Sequence, residues 1–142
     1  METEKEATIP PGWKLVRSGY LKRKPEPNTK FEIIGSSRLY HLLLQQKLKE
    51  EQGKFSDALL EEDKNSSRVK DEAADVLEAT DTAREFSNMT EEQLRSIQED
   101  IFERAGLLGI GKEEILEYQT MKRIELGGFS MGVVLIEEKK AA

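Results

Sequence analysis

The chain has 142 residues, with 28 acidic and 22 basic side chains and a formal net charge of −6. That length fits one domain built on one core, and the acidic balance argues against general nucleic-acid binding, which needs a net basic face. The lack of cysteine excludes disulfides, thiol nucleophiles and Cys-based zinc sites. With no signal peptide and no apolar run near ~18 residues, an intracellular, cytoplasmic protein without a membrane segment is expected.

Residues 1–12, METEKEATIPPG, are polar and Pro-rich and read as a flexible arm. WKLVRSGYLKRK (13–24) begins apolar and ends basic, KPEPNTK (24–30) is turn-forming, and FEII (31–34) reads as a short extended piece. Gly35-Ser36-Ser37 offers a helix start with Ser36 or Ser37 as N-cap. A first helix is predicted from Arg38 to Leu60, because Leu39, Leu42, Leu43, Leu44, Leu48, Phe55 and Leu59 form a broad stripe at helical spacing. EEDKNSSR (61–68) breaks that pattern, and Ser66 or Ser67 then caps a second helix from Val69 to Phe86. Its apolar face comprises Val69, Ala73, Val76, Leu77, Ala83 and Phe86. Thr90-Glu91-Glu92-Gln93 is a capping box, in which the Thr90 hydroxyl and the Gln93 side chain satisfy free backbone groups reciprocally. Leu94, Ile97 and Ile101 share a face of the third helix, which ends at LGIG (108–111). A fourth helix runs from Lys112 to Leu126 and stops at Gly127-Gly128. MGVVLIE (131–137), rich in β-branched residues, is a candidate strand to pair with residues 14–16, and 138–142 is a solvated tail. The expected fold is mainly α: four helices in one domain over 13–137, with a small extended or β ornament made by the terminal segments.

Two of these helices carry carboxylates. KLKEEQGKF (47–55) places Glu50 and Glu51 side by side, and KDEAADVLEA (70–79) places Glu72 and Asp75 three residues apart, on one helical face. Facing carboxylates of this kind suit Mg²⁺, which takes hard oxygen ligands and bridges protein to phosphate. The plain alternative is that these acids are solvated helix surface. His41, the sole histidine, reads as an interface or surface residue rather than a catalytic base. Trp13 reads as packing the amino arm onto the bundle, Tyr118 as half-buried, and Phe129 as an anchor for the last strand.

The order of segments is more specific than any one of them. KLVR (14–17), KLKEEQGKF (47–55), DEAADVLEA (71–79) and LGIGKEEILEYQTMKRIELGGF (108–129) precede a short apolar strand. This series resembles the MazG-like nucleoside triphosphate pyrophosphohydrolases, in particular the small single-domain branch related to phosphoribosyl-ATP pyrophosphohydrolase. The resemblance implies an all-α hydrolase that assembles as a homo-oligomer, a dimer or higher. It also implies use of Mg²⁺, with Mn²⁺ as a substitute, to cleave nucleoside triphosphates to monophosphate and pyrophosphate, a housekeeping reaction of the nucleotide pool. Carried over by position, Glu51, Glu72 and Asp75 match metal-binding acids, and Glu50 matches an acid that either supports the ligands from behind or positions water. Lys14, Arg17, Lys122 and Arg123 become candidates for triphosphate contacts.

Four departures accompany the match. Lys54 stands where a further metal-binding glutamate is expected, as a cation able to pair with Glu51, Glu72 or Asp75 in the ion's place. An acid and a lysine are missing from Arg17-Ser18-Gly19-Tyr20-Leu21, and Leu126 replaces an arginine before Gly127-Gly128. An inserted helix occupies about 87–107, placed to cover the site, build an interface or bind a partner. Two functions therefore follow: a Mg²⁺-dependent pyrophosphohydrolase, or a catalytically impaired relative that binds nucleotide or protein.

Overall fold

The computed structural model describes residues 9–61, 66–86 and 89–137. The tail from 138 onward lies outside them, as does the arm before Ile9. The described chain forms four α-helices, α1 (Ser37–Leu60), α2 (Ser66–Phe86), α3 (Glu91–Gly106) and α4 (Lys112–Leu126). Three short strands, β1 (Trp13–Leu15), β2 (Thr29–Ile33) and β3 (Val133–Glu137), complete it with a 3₁₀ turn over Ser18–Lys22. This is the mainly-α fold with a small sheet that the periodicity predicts.

The local signals account for most boundaries. The Ser36 hydroxyl accepts from Leu39 N at the head of α1. The capping box forms at α3, where Gln93 N donates to Thr90 Oγ1 and Thr90 N to Gln93 Oε1. Helix α4 stops at Gly127, whose φ of 76° is the left-handed region that glycine enters freely. Helix α2 begins at Ser66, ahead of the expected Val69, so Ser66 and Ser67 lie within its span. The stretch where its cap belongs, 62–65, is outside the described residues.

Strand β3 is central, antiparallel to β1 on one side and to β2 on the other. Lys14 pairs with Leu135, as expected, and Phe31 pairs with Leu135 from the opposite edge. Val133, Val134 and Ile136 of β3 are buried. Two packed clusters make the core. One joins Phe55, Val69, Val76, Leu77, Ile101 and Ile115 among the helices. The other joins Leu15, Leu43, Leu44, Ala83, Phe129 and Val134 between sheet and helices, with Trp13 packed against it. Leu48 touches both, so the core is continuous. Tyr40 Oη donates to the Phe129 carbonyl at 3.0 Å, which ties α1 to the segment that leads into β3.

Only part of the expected apolar surface is buried. On α4, Ile115 is fully buried, while Leu116, Met121 and Ile124 are exposed. Phe86 is exposed too, its ring edge-on to Tyr40. Helix α3, the expected insertion, packs into the core through Ile101 and Ala105.

The feature that positions the site is a close crossing of two chain segments. Ser18 N donates to Gly128 O at 2.9 Å, and Arg17 Nη1 donates to Gly127 O at 2.8 Å. A Cβ on Gly127 would lie 2.0 Å from Ser18 Oγ, and one on Gly19 would lie 2.4 Å from Leu126 O. Two glycines at this crossing bring the end of β1 against the end of α4.

Candidate metal centre

On α1, Leu43, Lys47, Glu51, Phe55 and Ala58 are all buried and follow one another at helical spacing. Two charged side chains therefore interrupt an apolar stripe, at the point where α1 packs on α2. Helix α2 answers with Glu72 and Asp75. Glu51, Glu72 and Asp75 each place a carboxylate oxygen within 4.8 Å of the others. Glu51 is only 2% exposed. Glu51 Oε2 and Glu72 Oε2 are both buried and accept no hydrogen bond. An unmatched buried carboxylate oxygen is costly, and two on residues of one cluster fit a hard cation that needs oxygen ligands.

Protonation follows from this crowding. Burial raises the Glu72 carboxyl to about 7, and repulsion from Glu51 and Asp75 adds to the effect, with Lys54 opposing it. For Glu50, burial also works against ionisation, yet Lys14, Lys47 and Lys54 together hold it below the ordinary value.

Cations surround the acids. Lys47 Nζ lies 3.1 Å from Glu51 Oε1 and 3.6 Å from Glu50 Oε2. Lys14 Nζ lies 2.7 Å from Glu50 Oε1. Lys54 Nζ sits 3.3 Å from Glu50 Oε1 and 3.4 Å from Glu51 Oε1. Burial disfavours the Lys54 charge, but Glu51 and Glu50 hold its ammonium above the usual pKa. Arg17 Nη2 and Lys122 Nζ both reach Asp75 Oδ1, at 2.6 and 2.7 Å, and Lys122 also binds Asp71 at 2.6 Å. Burial opposes the Lys122 charge, while Asp71 and Asp75 raise its pKa. Lys14, Arg17, Lys47, Lys54, Lys122, Glu51 and Asp75 border a cavity of about 170 Å³, walled on its apolar side by Val16, Leu126, Phe129 and Leu135. The Arg17 guanidinium also stacks over the Phe129 ring, 5.1 Å from its centre.

The expected residues thus divide into groups. Glu51, Glu72 and Asp75 come together, with Glu50 at the rim through Lys14. Lys14, Arg17 and Lys122 line the cavity, although Arg17 is 5% exposed and occupied by Asp75 and Gly127. Arg123 lies elsewhere: its Nε and Nη2 grip both oxygens of buried Glu78, beside a separate polar cavity. Gln119 Nε2 donates to Glu78 Oε1 and to Asp81 Oδ2 there. Lys54 pairs with Glu50 and Glu51 through their Oε1 atoms, not with Glu72 or Asp75, and leaves Glu51 Oε2 open. Helix α3 contributes no residue to the lining of the charged cavity.

Spacing did not single out Lys47, Asp71, Glu78 or Gln119. For Lys47 a signal exists, since a lysine four residues before Glu51 inside an apolar stripe must face the same interior. Asp71, Glu78 and Gln119 acquire their partners across helices, which no local pattern reports. No family model, curated protein or solved structure matches the chain.

Proposed function

We propose that this chain is a Mg²⁺-dependent nucleoside triphosphate pyrophosphohydrolase, producing a nucleoside monophosphate and pyrophosphate. The observation that carries the metal is the pair of buried, unpartnered oxygens, Glu51 Oε2 and Glu72 Oε2, grouped with Asp75. The nucleotide and the cleavage position rest on the ordered sequence segments and their family resemblance. Glu51, Glu72 and Asp75 would hold the ion, and Mn²⁺ suits the same oxygen donors. A Mg²⁺ held by these three carboxylates would supply charge neutralisation for phosphate and a lowered pKa for water.

The chain's own residues supply the rest. Arg17 and Lys122 fix Asp75 from two sides, which sets the carboxylate's direction. Glu50, held ionised by its lysines, orients water at the rim of the cavity. Lys14 and Lys54, each with a partly exposed side chain, meet incoming phosphate charge. Cytoplasmic placement and homo-oligomeric assembly belong to the same proposal. The exposed Leu116, Met121 and Ile124 on α4 offer apolar surface for association, and no helix among the described residues is long and apolar enough to cross a membrane.

One contact favours a second reading, a catalytically impaired relative that binds nucleotide or protein. Lys54 already neutralises Glu50 and Glu51. The deciding assay offers purified protein a panel of nucleoside triphosphates with Mg²⁺ and measures pyrophosphate. Release from at least one nucleotide, abolished by Glu72→Gln, supports the hydrolase. Nucleotide binding by calorimetry without release selects the second reading. No release and no binding of any Mg²⁺–nucleotide complex rejects both nucleotide readings.

A further inference from the structure

The charged groups in and beside the cavity carry no excess of negative charge before any ligand arrives. Lys14, Arg17, Lys47, Lys54 and Lys122 stand against Glu50, Glu51, Asp71, Glu72 and Asp75, so the cluster is neutral when all are ionised. A dication entering alone meets no net charge of opposite sign, and it meets the Lys54 ammonium beside Glu51. Yet Glu51, almost wholly buried and clustered with Glu72 and Asp75, keeps its Oε2 unpartnered. The donors exist, but the charge that would draw in a cation does not.

We infer that this site takes its divalent cation together with a polyphosphate anion, and that Lys54 is the residue that couples the two. This deepens the proposed hydrolase function and rests on its metal-binding part. The anion supplies the negative charge that the balanced cluster lacks. The Lys54 side chain is 40% exposed and its contacts to Glu50 and Glu51 are long, at 3.3 and 3.4 Å. It is therefore free to turn from those acids to a phosphate oxygen as the ion fills the space beside Glu51. Lys14, 45% exposed on Glu50, flanks the same entrance. Coupling of this kind is reciprocal, so cation and anion each raise the affinity of the other by one factor.

The test uses the full chain with MgCl₂ alone, inorganic tripolyphosphate alone, and both together. Tripolyphosphate carries the phosphate chemistry without a base or sugar. Melting temperature and calorimetric heats are recorded for the wild type, Lys54→Glu and Lys54→Met. In the wild type the combination raises the melting temperature by more than the two separate shifts together. Lys54→Glu binds Mg²⁺ alone at least about tenfold more tightly than the wild type, within the usual range of coupling strengths. Its surplus from tripolyphosphate shrinks. Lys54→Met, which removes the cation without adding a like charge beside Glu50 and Glu51, gives an intermediate Mg²⁺ affinity and covers the case in which the glutamate variant fails to fold. Wild type binding Mg²⁺ alone as tightly as with tripolyphosphate overturns the coupling, as does unchanged Mg²⁺ affinity in the variants. Either result leaves the hydrolase reading standing if pyrophosphate is released from a nucleotide. No response to Mg²⁺ in any protein or combination overturns the coupling and the metal-dependent reading together.

Discussion

Replacing Glu72 by glutamine tests the electrostatics of the site without any ligand. Glutamine is close in shape to the protonated carboxyl and cannot ionise. Below pH ~4.5 the glutamate is protonated in both the unfolded and folded chains, and the substitution removes no charge. Above about pH 7 it is ionised in both, and the folded protein bears the full cost of burial and of repulsion by Glu51 and Asp75. Its pKa is raised on folding, so the folded state binds the extra proton. The stability of the ion-free wild type therefore falls as pH rises between those limits. A rise from 4.5 to about 7 corresponds at face value to about 3 kcal/mol. The carboxyl is only part-buried, and solvent screening reduces this to about 1–2 kcal/mol. For a chain of this size that stabilisation raises the melting temperature by about 3–7 °C. Glu72→Gln should melt higher than wild type by that margin at pH 8 in EDTA, and level with it at pH 4.5. Scanning calorimetry at the two pH values measures this directly. A variant that melts lower at pH 8, or shows the same difference at both pH values, refutes the claim that burial beside Glu51 and Asp75 raises the Glu72 carboxyl.

Two further substitutions test how the site is held. Arg17→Met should cost about 2–4 kcal/mol in urea unfolding, because Asp75 and the Gly127 carbonyl lose a buried charged donor while Lys122 still serves Asp75. Arg17→Lys should recover little of it, since one ammonium does not span both acceptors. Gly127→Ala should cost more than about 2 kcal/mol by the same measurement, with φ at 76° and a Cβ only 2.0 Å from Ser18 Oγ. Gly53→Ala is its control: a Cβ there meets nothing within 4 Å, and the α1 interior should gain about 0.5–1 kcal/mol.

The helices were legible because their causes are local. Thr90 and Gln93 are three residues apart and close their own box, and Gly127 ends α4 through its own backbone freedom. The β-branched run within 131–137 declared a strand, formed over Val133–Glu137, and its apolar content fits the central place that β3 takes. FEII announced only an extended piece; its seat as the second edge of the sheet required β3 to be free on that side. Carboxylate spacing put Glu72 and Asp75 on one face of α2, since residues on one helical face stay together wherever the helix packs, and the family resemblance matched Glu51 to them across from α1.

Which groups compensate those acids was decided by the tertiary structure. Arg17 and Asp75 are 58 residues apart, and Lys122 and Asp75 are 47 apart. No periodicity links them, and only the glycine crossing of Ser18-Gly19 with Leu126-Gly127 sets Arg17 against both Asp75 and α4. The same packing turned Arg123 toward Glu78 and away from the charged cavity. The sequence by itself determined that a lysine occupies position 54. The fold decided that this lysine rests on Glu50 and Glu51 through their Oε1 atoms and leaves a buried oxygen of Glu51 open, because helical geometry places it three and four residues along from those acids and a part-exposed side chain keeps its ammonium near water.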